Sequence, residues 1–328
     1  MTQTIFDVLR ILDEAGIGKP VPGEVISERL GITRTAVWKY VNLLREVGYC
    51  IDASPKTGYA LQKRTWLLLP YEVKRFLKTQ TIGQEMHHFE QVPSTNALAR
   101  QMLHEVGDEV QPGTVLIAEQ QTGGIGRMNR VWMSPEGGIW ATIVVMPKLN
   151  VDQTFSIMMA GSLALARAIR HEFGLSALIK WPNDVFIGDK KVAGMTLELS
   201  ADEDILRYCL IGVGIDVNVS VERTMPNISK LVTSISDELG HEVERAQFFA
   251  KFLKEFERRY QMVLMGETEP LFREWRSLSY TLHRRVRIRT MKESFEGEAI
   301  DIDEHGALLV HRDGGEVERV IAGDCFML

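Results

Sequence analysis

The chain has 328 residues, of which 45% are hydrophobic, so it is long enough to bury the cores of two or three domains. Its formal net charge of −6 at pH 7 argues against a protein that coats nucleic acid non-specifically, although a small DNA-binding module stays compatible with it. Cys50, Cys209 and Cys325 match no disulfide or zinc spacing, which predicts a reducing, cytoplasmic location. Asp7 and Arg10 interrupt the first apolar run, and no uncharged apolar stretch reaches the ~18 residues of a membrane span, so we expect neither a signal peptide nor a membrane protein.

Residues 1–63 show three helical patterns followed by two short strands. In the first pattern, apolar side chains recur at the spacing of one buried helix face: Ile5, Val8, Leu9 and Leu12. The second helix, in GEVISERLG, ends at Gly31, and the third, in TRTAVWKYVNLLREVGY, has Thr33 or Thr35 as its N-cap. The segment CIDASPKTGYAL then predicts a strand, a turn and a strand. This order is typical of a winged helix-turn-helix.

The third helix carries a basic surface opposite its apolar stripe. Between Thr33 and Arg45 there are three basic residues and no acidic residue. Helices of this kind enter the major groove of DNA and contact base edges and phosphates. The predicted DNA-binding residues are Gly23, Thr33, Arg34, Thr35, Trp38, Lys39 and Asn42. A helical protein-interaction module with a solvated face would show the same pattern.

The central region, predicted as a domain over residues 64–275, mixes helices with strands. Helices are predicted in STNALARQMLHEV and DQTFSIMMAGSLALARAIRHEF. Strands are predicted in GTVLIAEQ, IWATIVVMP, VAGMTLELS and RYCLIGVGIDVNVS. The pattern indicates an α+β or α/β fold. Residues 276–328 consist of short strands separated by turns, which predicts a small β-barrel or sandwich; the strands are predicted in RRVRIRT, FEGEAIDID, ALLVHRD and VERVIAGD.

The stretch QQTGGIGRMNR, residues 120–130, is a glycine-dense loop with two arginines. Its glycines leave backbone N–H groups free to approach an anion, and Arg127 and Arg130 add guanidinium donors suited to a carboxylate or a phosphate. Trp132 follows and is suited to stacking on a flat ring. The loop does not match G-x-x-x-x-G-K-[ST], and a hairpin loop with incidental arginines would give the same pattern.

A second candidate site lies in KWPNDVFIGDKKVAGM, residues 180–195. Its proline sets a turn surrounded by three polar side chains: Lys180, Asn183 and Asp184. Lys191 follows on the next strand, near Gly194, where the absence of a side chain leaves room for a ligand. Such residues suit nucleotide phosphates and a magnesium ion. An ordinary hairpin with surface lysines is the alternative.

Two more motifs are compatible with a structural role and with a binding role. In PSTN, Ser94 is suited to cap a helix, while Thr95 and Asn96 present polar groups toward a small ligand. GVGIDVN, residues 212–218, is a strand whose glycines permit close packing, in a core or against a ligand.

In chain order, STN, AEQQTGGIGRMNRVWMSPEGG, KWPND, KKVAG and GVGIDVN resemble the biotin protein ligase family. With the predicted winged helix, the chain resembles the bifunctional members that also repress the biotin operon, over essentially its whole length. The resemblance implies an α+β multidomain protein. Its expected parts are a winged helix-turn-helix DNA-binding domain at 1–63, a mixed α/β catalytic domain of the class II synthetase type at 64–275, and an SH3-like β-barrel at 276–328.

The resemblance also implies an ATP-dependent ligase specific for the biotin carboxyl carrier protein. In this reaction biotin and ATP condense to biotinyl-5′-AMP with loss of pyrophosphate, and the biotinyl group passes to a lysine of the carrier domain. The implied second function is biotin-responsive repression of biotin synthesis genes, with a homodimer loaded with biotinyl-5′-AMP spanning two operator DNA half-sites. The expected substrates and cofactors are biotin, ATP and Mg2+.

Carried over residue by residue, the resemblance implies overlapping sets of site residues. The biotin-binding set is Ser94, Thr95, Asn96, Gln121, Gly124, Gly126, Arg127, Lys191 and Gly194. The ATP-binding set is Arg130, Trp132, Lys180, Asn183 and Lys191. The catalytic set is Lys191, Arg127, Lys180 and Asp184, and Asp184 is also the candidate magnesium ligand.

Charge repulsion gives a separate reason to expect cations in such a site. Adenylation brings a carboxylate against a phosphate, and two unit charges about 4 Å apart at an effective dielectric of about 20 repel each other by about 4 kcal/mol. Arg127, Lys180 and Lys191 supply compensating positive charge. In the transfer step the attacking lysine must be neutral, and we expect Asp184 to accept its proton.

The sequence departs from the family pattern in two places. The usual loop is G-R-G-R-x-G-R, whereas here Ile125 replaces the first arginine, Met128 precedes Asn129, and Asn129 replaces a glycine. Asp216 stands where the family usually has asparagine. The loss of one positive side chain motivates a second hypothesis, a biotin-sensing repressor with impaired catalysis. A third hypothesis is a ligase for lipoate or another carboxylic acid.

Overall fold

The computed structural model describes residues 3–328, and its contacts divide the chain into two compact units, Met1–Tyr71 and Glu72–Leu328. Residues 1 and 2, with which the predicted first domain begins, lie outside the described part. The predicted boundaries at residues 63 and 275 stay predictions. Among the described helices, none is long and apolar enough to cross a membrane.

The first unit is a helix-turn-helix followed by a β-hairpin. Its elements are α1 (Gln3–Ala15), α2 (Gly23–Leu30), α3 (Arg34–Glu46), β1 (Cys50–Ser54) and β2 (Gly58–Lys63), and β1 pairs with β2 in antiparallel fashion. The predicted apolar face of α1 is buried with Val37, Val41 and Leu44 of α3. These side chains form one core, which confirms the predicted winged helix-turn-helix.

Local capping explains where the first helices begin and end. Gly31 has a φ of 62°, which a glycine adopts without strain, and its N–H reaches the carbonyl groups of the last turn of α2. Thr33 rather than Thr35 caps α3, because its Oγ1 accepts a hydrogen bond from the Ala36 N–H at 3.2 Å.

The larger unit is built on a seven-stranded sheet, as described within residues 72–328. Its strands are β3 (Met86–Val92), β4 (Val115–Gln121), β5 (Ile139–Val145), β6 (Ala177–Lys180), β7 (Asp184–Ile187), β8 (Lys190–Asp202) and β9 (Ile205–Ile215). They follow the order β3-β4-β5-β9-β8-β7-β6, and the pair β3–β4 is parallel whereas the other pairs are antiparallel.

Helices complete the α/β arrangement. From residue 70 onward they are α4 (Pro70–Lys74), α5 (Thr95–Val106), α6 (Thr154–Phe173), α7 (Val221–Thr224), α8 (Ile235–Leu239), α9 (Arg245–Leu264) and α10 (Thr268–Ser277). The helix α6 is buried along most of its length and contacts α9, α10 and the strands β6 to β8. A Cβ on Gly161 would lie only 2.5 Å from the Met195 side chain, so the small residues of α6 allow this close approach.

The last part of the chain forms a separate antiparallel sheet within the same unit. Its strands are β10 (Arg285–Arg289), β11 (Ser294–Ile302), β12 (Leu308–Arg312), β13 (Val317–Val320) and β14 (Asp324–Met327), in the order β13-β12-β11-β10-β14. This is the small C-terminal β-structure that the sequence predicts.

Two predicted strand ends are wrong in detail. The strand predicted in RYCLIGVGIDVNVS ends at Ile215, because beyond it the Asn218 N–H bonds to the Gly137 carbonyl and leaves the ladder with β8. The strand predicted in VERVIAGD ends at Val320, and the chain turns before β14. There Asp324 pairs with Arg289 of β10.

Candidate functional site

The predicted motifs meet at a cavity of about 290 Å3 in the larger unit. Its walls come from the start of α5, the loop after β4, the hairpin β6–β7, the strands β8 and β9, and the start of β14. Of the residues predicted for biotin, ATP and catalysis, the following line it: Ser94, Thr95, Asn96, Gln121, Gly126, Arg127, Arg130, Trp132, Lys180, Asn183, Asp184, Lys191 and Gly194. Arg127 and Lys191, about sixty positions apart in sequence, therefore face one space.

Gly124 is the predicted residue that does not line the cavity. A Cβ at this position would lie 2.4 Å from the Trp132 carbonyl oxygen and 2.8 Å from Ser134 Oγ. The Gly124 carbonyl also accepts a hydrogen bond from the Trp132 N–H at 2.9 Å. The glycine is thus required for the close packing of the two arms of the loop, and its contact with biotin stays a prediction.

One end of the cavity is a polar network at the N-terminus of α5. The Gln121 Oε1 accepts hydrogen bonds from the Thr95 N–H at 2.8 Å and from the Thr95 hydroxyl at 3.2 Å. Asn96 donates to Thr196 Oγ1 at 3.2 Å and accepts from the Thr142 hydroxyl at 2.5 Å. These bonds fix the orientation of the amide and hydroxyl groups, as a binding site for a small polar head group requires.

The middle of the cavity holds the cationic groups. Lys191 Nζ lies 2.7 Å from Asp184 Oδ1 and 4.8 Å from the centre of the Trp132 ring. Arg127 donates to Asn183 Oδ1 at 3.1 Å, and its pKa is lowered by burial against the opposing effect of Asp184. A cation paired with a carboxylate at this position can exchange that partner for an incoming anion.

Glycines leave the space beside these cations open. Gly194 of β8 and Gly214 of β9 face each other across the sheet. A Cβ on Gly194 would lie 3.0 Å from Lys191 Nζ, and a Cβ on Gly214 would lie 2.5 Å from Trp132 Nε1. Glycine is thus required at position 214 for the close approach of the indole, and at position 194 it leaves room for the end of the lysine side chain.

The C-terminal sheet contributes to the same cavity through Asp324 of β14. Arg130 of the loop and Arg289 of β10 both donate to this carboxylate, the latter at 3.0 Å. Burial alone would raise the pKa of Asp324, but hydrogen bonds from Arg289 and Arg130 bring it below its ordinary value. Arg127 also reaches this segment, since its Nη2 lies 3.3 Å from the Gly323 carbonyl oxygen.

Two buried polar atoms that line the cavity have no hydrogen-bond partner within residues 3–328: Trp132 Nε1 and Asp216 Oδ1. Burial raises the pKa of Asp216 to about 8, with Lys191 lowering it and Asp237 raising it further. Unpaired buried polar groups are rare in folded proteins, and at a cavity wall they mark positions where a ligand can complete the hydrogen bonds.

The sequence did not indicate Thr142, Thr196 or Asp324. Thr142 and Thr196 are single polar residues in apolar strands, a weak signal that strand prediction treats as neutral. Asp324 follows a glycine in an ordinary turn. Its partners Arg130 and Arg289 are distant in sequence, so no local pattern connects them.

The first unit presents the predicted DNA-binding face on α3. Thr33, Arg34, Thr35, Trp38 and Lys39 are exposed, and 57% of the Trp38 surface is accessible. Asn42 is half-buried and accepts a hydrogen bond from Arg45, which also donates to the Ile51 carbonyl. Gly23 begins α2 and lies against the Tyr59 ring. The exposed members are therefore concentrated in the first two turns of α3.

The structure has the two parts expected of a ligase that also regulates transcription: a helix-turn-helix unit and, in the larger unit, a cation-lined cavity with a polar network at one end. The Biotin/lipoate A/B protein ligase family model matches residues 88–216, the Biotin protein ligase C terminal domain model matches 281–328, and a helix-turn-helix model matches 5–60. A relative named Bifunctional ligase/repressor BirA, from Bacillus subtilis, is 33% identical over 97% of both chains. The chain belongs to the biotin protein ligase family, in its bifunctional ligase/repressor group.

More distant relatives agree with this assignment. The Bifunctional ligase/repressor BirA of Escherichia coli is 27% identical over 89% of this chain and 88% of its own length. The solved biotin protein ligase of Aquifex aeolicus, in complex with biotin and ATP, has a TM-score of 0.63 at 24% identity and covers 75% of this chain and 99% of its own. Because the identity to the Aquifex aeolicus structure is below 25%, this similarity shows the fold alone.

Proposed function

We propose that this protein activates biotin with ATP and transfers it to a lysine of a biotin carboxyl carrier protein. We also propose that it represses biotin synthesis genes when it holds biotinyl-5′-AMP. The observation that carries the enzymatic part is the convergence of Arg127 and Lys191 on one cavity that also has a preformed polar end. In this arrangement the biotin head group occupies the network of Thr95, Asn96 and Gln121, and its carboxylate points to the two cations.

The nucleotide then occupies the end near Trp132 and Asp216. The cavity of about 290 Å3 is close to the lower end of the range of about 300–1,000 Å3 for ligand pockets, and Arg127 and Arg130 of the loop are part of its wall. We infer that the loop with Arg127 and Arg130 moves when the substrates bind. Its contacts with Asp324 and with the Gly323 carbonyl are the bonds that such a movement breaks.

In the first step, a biotin carboxylate oxygen attacks the α-phosphorus of ATP, the bond to the β-phosphate breaks, and pyrophosphate leaves. Arg127 and Lys191 offset the repulsion between the carboxylate and the phosphate, and Lys180 from the end of β6 adds a third positive charge at the cavity wall. Lys180 and Lys191 lie on strands and are in place before the substrates arrive, whereas Arg127 takes up its position with the movement of the loop.

Mg2+ fits this site as an ion carried by the nucleotide. No group of three or more His, Cys, Asp or Glu side chains that could hold a metal occurs among the described residues. Mg2+ is commonly bound by substrate phosphates together with one or two carboxylates, and Asp184 is the candidate. When bound, the ion neutralises phosphate charge and orients the leaving pyrophosphate.

In the second step, the amine of the carrier lysine attacks the biotinyl carbonyl, AMP leaves, and the amine loses a proton. A lysine with a free pKa of about 10.4 costs roughly 4–5 kcal/mol to deprotonate near pH 7. Asp184 is the proposed proton acceptor, and for this role it must separate from Lys191, which lies 2.7 Å away.

Replacing Asp184 by asparagine should therefore slow transfer far more than adenylation. Single-turnover measurements of pyrophosphate release and of carrier biotinylation separate the two steps. The matched control is Asp204→Asn, which removes the same charge from an exposed turn between β8 and β9. Equal losses in both steps would refute the assignment of Asp184 as base.

The repressor function rests on the exposed face of α3. Arg34 and Lys39 are exposed on this face and are the proposed phosphate contacts. Each change to alanine should therefore weaken binding to DNA from upstream of the biotin synthesis genes and reduce the slope of log affinity against log salt by about 1. We further propose that the adenylate favours a homodimer, and sedimentation with and without biotin and ATP tests it.

The test of the enzymatic proposal is pyrophosphate release from ATP on addition of biotin, followed by labelling of a carrier domain. A repressor with impaired catalysis, which Ile125 at the arginine position suggests, would bind biotin without releasing pyrophosphate. A lipoate ligase would release pyrophosphate with lipoate and not with biotin. Either of these results would overturn the proposal.

A further inference from the structure

Asp216 lies at the end of the cavity away from the polar network. Gly212, Gly214 and Asp216 all line the cavity, and a Cβ on Gly212 would meet the side chains of Thr196 and Asn96. An extended chain rises about 3.3 Å per residue, so Asp216 is about 13 Å further along than Gly212. The group that completes the bonds of Asp216 therefore belongs to a ligand part other than the one bound at Asn96.

The surroundings of Asp216 disfavour a negative charge. Its N–H and carbonyl are already bonded, to the Val192 carbonyl and the Ile235 N–H, and the flanking Ile215 and Val217 are fully buried. No cation within residues 3–328 forms an ion pair with its side chain, whose Oδ1 is without a partner. Burial of an unpaired carboxyl among apolar side chains favours its protonated form.

Two charged groups act on Asp216 from neighbouring elements. Lys191 of β8 favours ionisation, but its Nζ is paired with Asp184 at 2.7 Å. Asp237 of α8 opposes ionisation, and its carboxylate accepts a hydrogen bond from the Val221 N–H at 3.0 Å. The effect of Lys191 is larger than that of Asp237, but burial outweighs the lysine, and the phosphates of a bound nucleotide add further negative charge.

A protonated carboxyl presents an O–H donor beside a carbonyl acceptor, as a carboxamide side chain presents an NH2 donor group beside a carbonyl acceptor. An adenine edge offers the complementary pair, an exocyclic amino donor beside a ring-nitrogen acceptor. An ionised carboxylate has acceptors alone and leaves the ring nitrogen unpaired. Trp132, whose indole lies over Gly214, contributes an aromatic surface and a second free donor at the same end.

We propose that Asp216 binds the base of ATP in its protonated form, so that affinity for the nucleotide, and not for biotin, falls as the pH rises. This inference rests on the proposed function, and it adds a proton to the nucleotide-binding step. When ATP binds to a site in which Asp216 is ionised, the carboxylate takes up one proton from solvent.

The direction and size of the effect follow from the ionisation of the free site. Since burial raises the pKa of Asp216 to about 8, the protonated form dominates below that pH and binding is lost above it. One pH unit above this value, about a tenth of the molecules stay protonated. The KM for ATP at pH 9 should thus be about tenfold higher than at pH 7, while the KM for biotin changes little.

The experiment measures KM for ATP and for biotin by pyrophosphate release between pH 6.5 and pH 9, in the wild type, Asp216→Asn and Asp237→Asn. Asparagine keeps one donor and one acceptor without a titrating proton, so Asp216→Asn should bind ATP with a KM near the low-pH value of the wild type at every pH. Asp237→Asn should keep the pH dependence with its midpoint moved to lower pH.

Parallel pH profiles in the wild type and Asp216→Asn would overturn the inference, as would a KM for ATP that Asp216→Asn raises at every pH. If the wild type releases no pyrophosphate at pH 7, the proposed function has failed. In that case, calorimetric titration with ATP alone still measures the pH dependence of ATP affinity, and the wild type is again compared with Asp216→Asn.

Discussion

Replacing Asp216 by asparagine should stabilise the protein in the absence of substrates, by an amount that grows with pH. The pKa of this carboxyl rises from 3.8 to about 8 on folding, mainly through burial. At pH 7 the unfolded chain has it ionised and the folded chain has it protonated, a difference of about three pKa units. At 1.36 kcal/mol per unit, folding at pH 7 loses up to about 4 kcal/mol that asparagine does not lose.

The sign of the pH dependence is opposite to that of an ion-paired carboxylate. Because the folded pKa is raised, stability from this group is fully present below about pH 4, is lost between about pH 4 and pH 8, and is constant above. The melting temperature of Asp216→Asn should therefore approach that of the wild type at pH 4 and exceed it by several degrees at pH 8.

Differential scanning calorimetry at intervals from pH 4 to pH 9 measures this difference. Asp204→Asn is the matched control, since it removes the same formal charge from an exposed turn and should give a difference close to zero at each pH. A difference between Asp216→Asn and the wild type that is independent of pH would show that Asp216 does not change its protonation on folding.

Three further predictions concern other parts of the larger unit. Gly214→Ala places a Cβ 2.5 Å from Trp132 Nε1, so it should displace the indole and raise the KM for ATP by about tenfold or more, measured by pyrophosphate release. Arg245→Met removes the 2.8 Å partner of the Glu119 carboxylate, whose side chain is 2% exposed and which keeps His88 at 3.0 Å; urea unfolding should show a loss of about 3 kcal/mol, much of it recovered when Glu119 is also changed to glutamine. Asp324→Asn weakens the bonds that hold the arginine-bearing loop, so trypsin should cleave that loop faster than in the wild type.

The local elements and the chemical character of the site could be predicted from the amino-acid sequence. Repeating apolar positions and the caps Gly31 and Thr33 set the helices of the first unit, because these features act over three or four residues. The glycine-arginine loop and the lysine-bearing hairpin likewise indicated an anion site for Arg127 and Lys191, because only a few residue types supply such donors.

The tertiary structure decided which of these groups meet and in which state of charge. Arg130 and Asp324 are joined across the cavity although nothing in the intervening sequence connects them. Gly124, predicted from the sequence as a ligand contact, packs against the Trp132 backbone, which no local pattern indicates. The protonation of Asp216 depends on the burial that Val192, Ile235 and their neighbours impose, and burial is a property of the folded chain rather than of any local pattern.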